Sequence, residues 1–320
     1  MKLLHKKSQC CGASINRFGA KRRQCSACKK TWSVYLAKRG PKSPRKQYGY
    51  LNKVFNHGFR VKQLSLHSKL SNDVIYKRFA KNLDLVVNHT RIVRIRGAKL
   101  ILLIDAKWQY FKKELWTMYF LAIKSVDSKT VVVLDPVIRQ GKESATNWNE
   151  IINQMPIAIK KRIITIVSDG IRGIETIADN NGWIIQRCHF HLLSALQRMR
   201  GKRVSTHGRI VREKIYGIVK SALTETSTNK LSIICRKLVV LSQEQGCPRA
   251  MRMIVRDFLR RLSEFRSYLN YPELNLPTTT NVMESINSHI SRITKTTNTP
   301  KSWHKWAIAC IRFKSKFTCK

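Results

Sequence analysis

A large excess of positive charge is the feature of this chain that most limits how it can fold. Its 320 residues include 62 Lys and Arg against 18 Asp and Glu, which gives a formal net charge of +44. Because like charges repel one another in a compact fold, we expect a polyanion partner, and a nucleic acid backbone fits best. With 43% hydrophobic residues the chain can still build a core, so it is not a disordered basic tail.

An anionic membrane surface is the competing partner for so basic a chain. However, the sequence has no apolar run of the roughly 18 residues that a spanning helix needs. It also does not open with a signal peptide. We therefore expect no membrane partner and a reducing compartment, which is the cytoplasm or, in a bacterium, the nucleoid.

Four cysteines near the start of the chain suggest a metal site. Cys25 and Cys28 are separated by two residues, a spacing that lets both sulfurs face one tetrahedral ion. The other half of the cluster is irregular, because Cys10 and Cys11 are adjacent, and neighbouring residues rarely both reach one metal. His5 is therefore an alternative ligand. We predict a zinc ribbon with a structural Zn²⁺, and the alternative is four reduced cysteines without metal.

Two further segments precede the first predicted strand. Residues 38–60 begin with a stretch rich in Pro, Gly and charge that is typical of a basic linker. Residues 61–90 show apolar residues at helical spacing in two short blocks, and Ser71 or Asn72 can cap the second. This pattern resembles a helix-turn-helix whose second helix, about Asp73–Leu83, enters the major groove of DNA. Any small helical hairpin has a similar pattern, but the surrounding charge favours DNA binding.

From residue 99 onward, apolar and β-branched runs alternate with polar stretches. They predict the strands Lys99–Asp105, Trp116–Lys124 and Thr130–Asp135, a helix over about Ser144–Met155, the strand Arg162–Asp169, a helix from Ile171 to about Asn181 and the strand Trp183–Cys188. Strands in series, followed by strands that alternate with helices, indicate a mixed α/β sheet. Residues 189–270 show helical spacing almost throughout, and a last helix starts near Val282.

Two aspartates that end predicted strands are candidates for a metal site. Asp105 and Asp169 lie at carboxyl ends, where ligands gather in open α/β sheets. Two carboxylates there and a third from a helix are typical of a Mg²⁺ site, because Mg²⁺ prefers oxygen ligands and keeps positions open for phosphate and water. A pair of such ions about 4 Å apart can activate an attacking oxygen and stabilise the leaving one in phosphodiester chemistry.

Each acid also has a structural alternative. Asp169 can cap the helix that follows it, and Glu284 can close a capping box with Asn281. Asp105 can simply end its strand in solvent. Position alone does not choose among the acids, because two others also lie near strand ends, Asp127 and Asp135.

Four segments, taken in order, resemble the DDE transposases of bacterial insertion sequences and the Mutator-like transposases. They are LLIDAKW (102–108), IVSDGIRGI (166–174), QRCHFHLL (186–193) and TTNVMESINSHI (279–290). The spacing is 64 residues between the two aspartates and 115 from the second to the glutamate. Order and spacing together are more specific than any single segment. The resemblance covers roughly residues 99–300.

The resemblance implies an α/β fold of the ribonuclease H-like class, in which an all-helical insertion interrupts the mixed sheet before the glutamate-bearing helix. It also implies that Asp105, Asp169 and Glu284 form a catalytic triad that binds Mg²⁺ or Mn²⁺. The implied domains are a zinc ribbon (1–37), a basic linker (38–60), a helix-turn-helix (61–90), the first part of the catalytic core (99–188), the helical insertion (189–275) and the last part of the core with the C-terminal tail (276–320).

The Cys/His motif of the family corresponds to Cys188, His189 and His191 in this chain. Zinc binding is one interpretation of it. No second pair of ligands lies nearby in sequence, so packing at the base of the insertion is at least as good an interpretation.

The function implied is a DNA transposase. The ribbon and helix-turn-helix would recognise the terminal inverted repeats of a mobile element, and the carboxylates would support cleavage and attack of the freed 3′ hydroxyl on target DNA. A synapse joins two DNA ends, so a homodimer or larger assembly on double-stranded DNA is expected. A domesticated, non-catalytic DNA-binding regulator is the main alternative, because the first half of the ribbon is degenerate. A nuclease without strand transfer is a third.

Overall fold

A computed structural model gives the fold of the chain. It describes residues 7–8, 10–18, 22–33, 49–66, 70–89, 94–201, 207–295, 297–314 and 317–318. The chain divides into two compact units, Met1–Tyr50 and Leu51–Lys320. His5, the alternative zinc ligand, lies outside the described residues, as do residues 38–48 of the expected linker.

The first unit contains a small antiparallel sheet of three strands, β1 (Ile15–Arg17), β2 (Arg22–Cys25) and β3 (Thr31–Ser33). The strands pair in chain order. Among the hydrophobic side chains described in this unit, that of Cys25 is the one that is fully buried. A sheet with so little apolar surface needs another source of stability, and a bound metal is the usual one in small domains.

The second unit is built on a mixed sheet of seven strands. They are β4 (Leu100–Phe111), β5 (Glu114–Ser125), β6 (Thr130–Val133), β7 (Val137–Gln140), β8 (Ile163–Ser168), β9 (Ile184–Arg187) and β10 (Phe317–Thr318). The order is β10-β6-β5-β4-β8-β9, with β7 also paired to β5. Strand β5 is antiparallel to β4, β6 and β7, whereas β8 runs parallel to β4 and β9. The predicted mixed α/β architecture is therefore confirmed; β7 and β10 were not predicted.

The first two strands of the sheet form a longer hairpin than the sequence predicted. Strand β4 continues past Asp105 to Phe111, and β5 begins at Glu114. Lys112 and Lys113 connect them with φ angles of 48° and 72°. Positive φ at both central residues is the geometry of a tight hairpin turn, which Asn-Gly and Asp-Gly adopt most readily. A Lys-Lys turn carries no such signal, so the extension was missed.

Three helices precede the sheet, α1 (Gly49–Phe55), α2 (Val61–Leu66) and α3 (Asn72–Asn88). Helix α1 lies inside the segment 38–60, so the expected linker is shorter than predicted. The side chain of Ser71 caps α3 by accepting a hydrogen bond from Val74 N at 3.5 Å. Helix α3 is longer than the predicted helix Asp73–Leu83.

Helices α1 and α3 pack on the last long helix of the chain through an aromatic cluster. Phe79 of α3 lies 4.9 Å from Trp306, measured between ring centroids, and Phe55 of α1 lies 5.9 Å from Phe313. Arg312 of the same helix forms a salt bridge of 2.5 Å with Asp135. The helices that resemble a helix-turn-helix thus share the second unit with the sheet.

One face of the sheet is covered by α4 (Ala145–Asn153), α5 (Ile157–Lys160) and α6 (Ile174–Asn181). Side chains from β4, β5 and β8 form a buried apolar cluster with these helices. Trp148 of α4 is fully buried in this cluster and contacts Tyr119 at 4.8 Å between ring centroids. This packing fixes the strands whose ends carry the predicted site.

Between β9 and the glutamate-bearing helix, the described residues are mainly helical, as predicted for residues 189–270. The helices are α7 (His189–Met199), α8 (Arg209–Thr224), α9 (Thr228–Gln243), α10 (Arg249–Arg260), α11 (Leu262–Phe265) and α12 (Ser267–Asn270). They enclose an apolar core of their own, separate from that of the sheet. The chain then forms α13 (Asn281–Ile293) and α14 (Pro300–Lys314).

A membrane span would need a long apolar helix, and the described part of the chain contains none.

Candidate active site

Asp105 lies where β4 loses its parallel neighbour. The pairing of β4 with β8 ends at Leu103, opposite Val167, and β8 itself ends at Ser168. Asp105 and Asp169 therefore follow at the same edge of the sheet. The expectation that the strand ends at Asp105 was wrong, because β4 continues against β5. Asp105 also does not end in solvent, since the residue is only 5% exposed.

The carboxylate of Asp105 is held by neighbours on two elements. Ala106 N donates to its Oδ1 at 2.9 Å, and the Nδ2 of Asn287 on α13 donates to its Oδ2. The other amide atom, Asn287 Oδ1, is buried and has no hydrogen-bond partner among the described residues. Lys107 donates to the Asn287 carbonyl and to Ser291 Oγ. The unpaired oxygen of Asn287 and the carboxylate of Asp105, which the Asn287 amide contacts, are both groups that a cation would stabilise.

A second contact joins the insertion to α13. His191 Nε2 of α7 lies 2.8 Å from Glu284 Oε1, and both side chains are about one-third exposed or less. Burial lowers the pKa of His191, but its interactions with Cys188 and Glu284 outweigh this effect and raise the pKa to about 11. The imidazole is therefore positively charged at neutral pH.

Ligand atoms of Asp105, His191 and Glu284 all lie within 4.8 Å of one another. Two carboxylates at this separation fit a divalent cation that accepts oxygen ligands, and the imidazole could join them as a ligand only after losing its proton. Burial raises the pKa of Asp105 to about 7, and the negative charges of Glu284 and Asp169 add to the shift. A site that concentrates negative charge in this way favours a cation.

Asp169 is not part of this group of three, whose ligand atoms lie within 4.8 Å of one another. Its charge raises the pKa of Asp105 and that of His191, so it lies within electrostatic reach of both. Of the three predicted carboxylates, the structure thus brings two into direct proximity and leaves the third beside them. His191 occupies the remaining position in the group, and this role was missed in the sequence.

The capping alternatives for two of the acids are not formed. Helix α13 is capped at Thr280 without a side-chain hydrogen bond, and Glu284 faces His191. Helix α6 begins at Ile174 with Gly173 as its cap, so Asp169 does not cap it. The carboxylates of Asp169 and Glu284 are therefore free of the structural roles that the sequence left open.

Glu143 is a fourth acid near the site that sequence reasoning missed. It precedes α4, and its Oε1 accepts a hydrogen bond of 2.7 Å from the indole of Trp148. Burial raises the pKa of Glu143 to about 7, and the charge of Asp169 acts in the same direction. No periodicity signals this residue, because it lies in the connection between β7 and α4.

Arg187 fixes the loop that carries Asp169. The residue is 2% exposed, and its guanidinium bonds Glu264 at 2.5 Å, Glu175 at 2.7 Å and the carbonyl of Gly170 at 3.3 Å. Gly170 has φ +93°, and a Cβ there would lie 1.8 Å from the Arg187 guanidinium. The SDG segment therefore needs glycine for its conformation and for the approach of the arginine.

The first two residues of the Cys/His motif serve packing. Cys188 is buried, and its Sγ accepts a hydrogen bond of 3.3 Å from Thr280 N. His189 Nε2 lies 2.6 Å from the carbonyl oxygen of Phe265. In the described part of the chain neither residue belongs to a group of three metal-ligand side chains, whereas His191 does.

The four cysteines of the first unit converge. Sγ atoms of Cys10 and Cys28 are 3.3 Å apart, those of Cys11 and Cys25 are 3.2 Å apart, and all four lie within 4.8 Å of one another. Four sulfurs around one Zn²⁺ are about 3.8 Å apart for bonds of about 2.3 Å in a tetrahedron. The adjacent Cys10 and Cys11 both face this point, contrary to our expectation that neighbours rarely do so.

Comparison with known protein families places most of the candidate site within a family match. The model of the family described as "Transposase, Mutator family" matches residues 118–301, more than half of the chain. The matched residues include Asp169, His191 and Glu284 but begin after Asp105. No curated protein matches the chain.

Proposed function

The chain belongs to the Mutator family of transposases, and from this membership we propose that it cleaves the ends of a mobile element and joins them to target DNA. In the joining step each freed 3′ hydroxyl would attack a target phosphodiester, so that a new ester bond forms as the bond to the target's own 3′ oxygen breaks. The family implies DNA as the partner and a nucleic-acid-cutting enzyme as the activity. The strong positive charge of the chain suits a DNA partner.

One observation carries the catalytic part of this proposal: Asp105, Glu284 and His191 converge, with Asp169 beside them, at the edge where the parallel strands end. Burying carboxylates next to one another is costly. In a chain with so few acids, a cluster of this kind is better explained by a ligand than by stability.

The three carboxylates would hold Mg²⁺ or Mn²⁺. Such an ion supplies activation of the attacking oxygen and stabilisation of the leaving one. Asp105 would contribute through its desolvated carboxylate, Glu284 through the carboxylate that faces His191, and Asp169 from the neighbouring strand end. Asn287 would orient Asp105, since its amide donates to that carboxylate. His191 would neutralise the carboxylates before the cation arrives and yield to it afterwards.

The core would be of the ribonuclease H-like class. The support is the arrangement of three antiparallel strands followed by two parallel ones, together with the helices that the described residues form between β9 and Glu284. Residues 99–188 and 276–320 would form this core, and residues 189–275 the insertion.

End recognition would belong to the amino-terminal part of the chain. The converging Cys10, Cys11, Cys25 and Cys28 support a structural Zn²⁺. In α3 the face turned away from the core carries exposed Tyr76, Lys77, Arg78 and Lys81, side chains that contact phosphates and bases. We assign to these parts the recognition of terminal inverted repeats, and we expect a homodimer or larger assembly that brings two ends together.

A supercoiled plasmid that carries candidate inverted repeats, incubated with the protein and Mg²⁺, tests the function. A transposase cuts at the repeats and joins the ends to new target DNA. Cutting without joining indicates a nuclease, and retarded but intact plasmid indicates a non-catalytic DNA-binding regulator.

A further inference from the structure

Helix α10 of the insertion carries four exposed arginines on one side. They recur at intervals of three, four and four residues, a spacing that places side chains in one row along a helix. This arginine stripe consists of Arg249, Arg252, Arg256 and Arg260. The opposite side of α10 is apolar, and its Met251, Val255 and Phe258 are buried in the core of the insertion. The helix is therefore fixed by packing while its arginines face solvent.

The arginine stripe has little negative charge to balance it. Arg260 forms an ion pair of 2.8 Å with Asp257, whereas the described residues offer no ion pair to the other three arginines. The guanidinium of Arg256 lies 3.5 Å from the sulfur of Met253 instead. Like charges three or four residues apart on a helix repel one another. A bound polyanion would relieve this repulsion, so the position of the stripe relative to the active site matters.

The arginine stripe borders a cleft that reaches the candidate active site. The cleft has a volume of about 390 Å³, and its lining includes Asp169, His191 of α7, and Met253 and Asp257 of α10. In sequence, Met253 and Asp257 each follow an arginine of the stripe, and successive residues of a helix are neighbours around its axis, about 100° apart. A polyanion on the stripe would therefore lie beside the cleft that Asp169 and His191 line.

Spacing and chemistry favour a nucleic acid backbone as this polyanion. A helix rises about 1.5 Å per residue, so the stripe is roughly 16 Å long. Phosphates of one DNA strand follow one another about every 3.4 Å along the duplex axis, so several of them can face the stripe. Guanidinium groups donate paired hydrogen bonds to phosphate oxygens. Arg198 of α7 also lines the cleft and is exposed, which adds a cation from a second helix.

We propose that the arginine stripe binds the sugar–phosphate backbone of the DNA whose cleavage site lies at the carboxylates. This inference rests on the proposed function, because it takes DNA to be the substrate. The insertion then does more than supply His191, since it also holds the DNA that flanks the cleavage site. Backbone contacts carry no sequence information. The stripe would therefore bind DNA of any sequence, and the choice of element ends stays with the amino-terminal part of the chain.

The test measures how strongly binding depends on salt, with the full chain and a DNA duplex of arbitrary sequence and without added metal. For the double variant Arg252→Gln/Arg256→Gln, the plot of the logarithm of the association constant against the logarithm of the salt concentration should be shallower. The slope should change by about 1.8, because each phosphate contact contributes about 0.9. Arg252→Lys/Arg256→Lys should keep the wild-type slope, because lysine also neutralises phosphate.

A matched control removes two charges elsewhere in the insertion. Arg236→Gln/Lys237→Gln changes exposed positions of α9 and should keep the wild-type slope. A stripe variant with the wild-type slope would overturn the proposal. A control variant that loses as much slope as the stripe variant would also overturn it, because total charge alone would then explain the effect.

A second measurement uses the wild-type chain, so that it does not depend on the folding of a variant. Bound DNA should shield the guanidinium groups of Arg252 and Arg256 from phenylglyoxal, a reagent that modifies arginine, and mass spectrometry locates the modified residues. Arg236 should react equally with and without DNA. Unchanged modification of Arg252 and Arg256 when DNA is bound would contradict the proposal.

Cleavage of plasmid DNA with Mg²⁺ is scored separately, so the two levels of failure are distinct. A chain that binds DNA through the stripe but does not cleave it supports the stripe and contradicts the proposed function. A chain that cleaves DNA while the stripe variant keeps the wild-type slope supports the function and contradicts the stripe. A wild-type chain that binds no DNA contradicts both.

Discussion

His191 Nε2 lies 2.8 Å from Glu284 Oε1, and this contact joins the first helix of the insertion to the helix that follows it. The two residues are 93 positions apart in sequence, and they lie on different helices, His191 on α7 and Glu284 on α13. The insertion therefore contributes a side chain directly to the carboxylate group. An imidazolium at this position offsets the repulsion among Asp105, Asp169 and Glu284 when no metal is bound.

Replacing His191 by Gln tests this role. The amide keeps a hydrogen-bonding group but loses the positive charge, so the metal-free variant should be less stable than the wild type at pH 7. Added Mn²⁺ should raise the melting temperature of the variant more than that of the wild type, because the cation supplies the missing charge. His57→Gln, at an exposed position, is the control. If Mn²⁺ raised the melting temperatures of the wild type and of His191→Gln equally, the proposed charge balance would be contradicted.

Asp105 predicts a pH dependence of stability. Its pKa is raised from 3.8 to about 7 in the folded chain, so the folded state binds a proton that the unfolded state has lost. Stability should therefore fall as the pH rises from about 4 to about 7 in the absence of metal. Asp105→Asn removes this contribution, and its unfolding free energy should fall less over the same range. Urea unfolding at pH 5 and pH 8 gives the change in unfolding free energy with pH for the wild type and for Asp105→Asn. Equal changes in the two proteins would contradict a raised pKa of Asp105.

Gly170→Ala should destabilise the chain through two effects. The residue has φ +93°, and the added Cβ would collide with the Arg187 guanidinium, which also bonds Glu175 and Glu264. Gly141→Ala is a matched control, because its φ is +97° and no atom lies within 4 Å of its Cβ. We expect about 1–2 kcal/mol of lost stability for the control, from the backbone alone, and clearly more for Gly170→Ala. If chemical denaturation gave equal losses of unfolding free energy for the two variants, the steric role of Arg187 would be contradicted.

Cys25→Ser should remove zinc and unfold the small sheet of the first unit, because thiolate ligation is coupled to folding. Metal analysis of protein purified without chelator should find one zinc per wild-type chain and none in the variant. The helical circular dichroism signal, which comes mainly from the second unit, should be unchanged. The preference of the variant for DNA that carries the element ends should fall. Cys235→Ser, on α9 and outside the cysteine group, should keep its zinc. A wild-type chain without zinc would contradict the ribbon.

The order of the main strands and helices could be predicted because it depends on local periodicity. Runs such as the one around Ile104 are buried on both sides and are unmistakably strand-like. The two-lysine turn and β7 escaped prediction, since neither has the usual residue signals. Helix α1 was missed because the Pro-rich and Gly-rich stretch before it dominates the segment.

The candidate site was only partly predictable. Asp105, Asp169 and Glu284 were implied by the resemblance of their segments to a transposase family, but the proximity of His191 to Glu284 depends on how the insertion folds back, which no local pattern encodes. A signal for Asn287 did exist, because it follows Glu284 by three residues and shares its helix face. Glu143 had no signal at all.

The central claim is that the carboxylate group performs chemistry on DNA, and Glu284→Gln tests it most directly. The amide is nearly isosteric but lacks the negative charge that a divalent cation requires. We predict that the variant melts near the wild-type temperature, retards the same DNA ends in a gel and fails to cleave them with Mg²⁺. Glu273→Gln, an exposed acid outside the group, should cleave normally. Normal cleavage by Glu284→Gln would contradict the account.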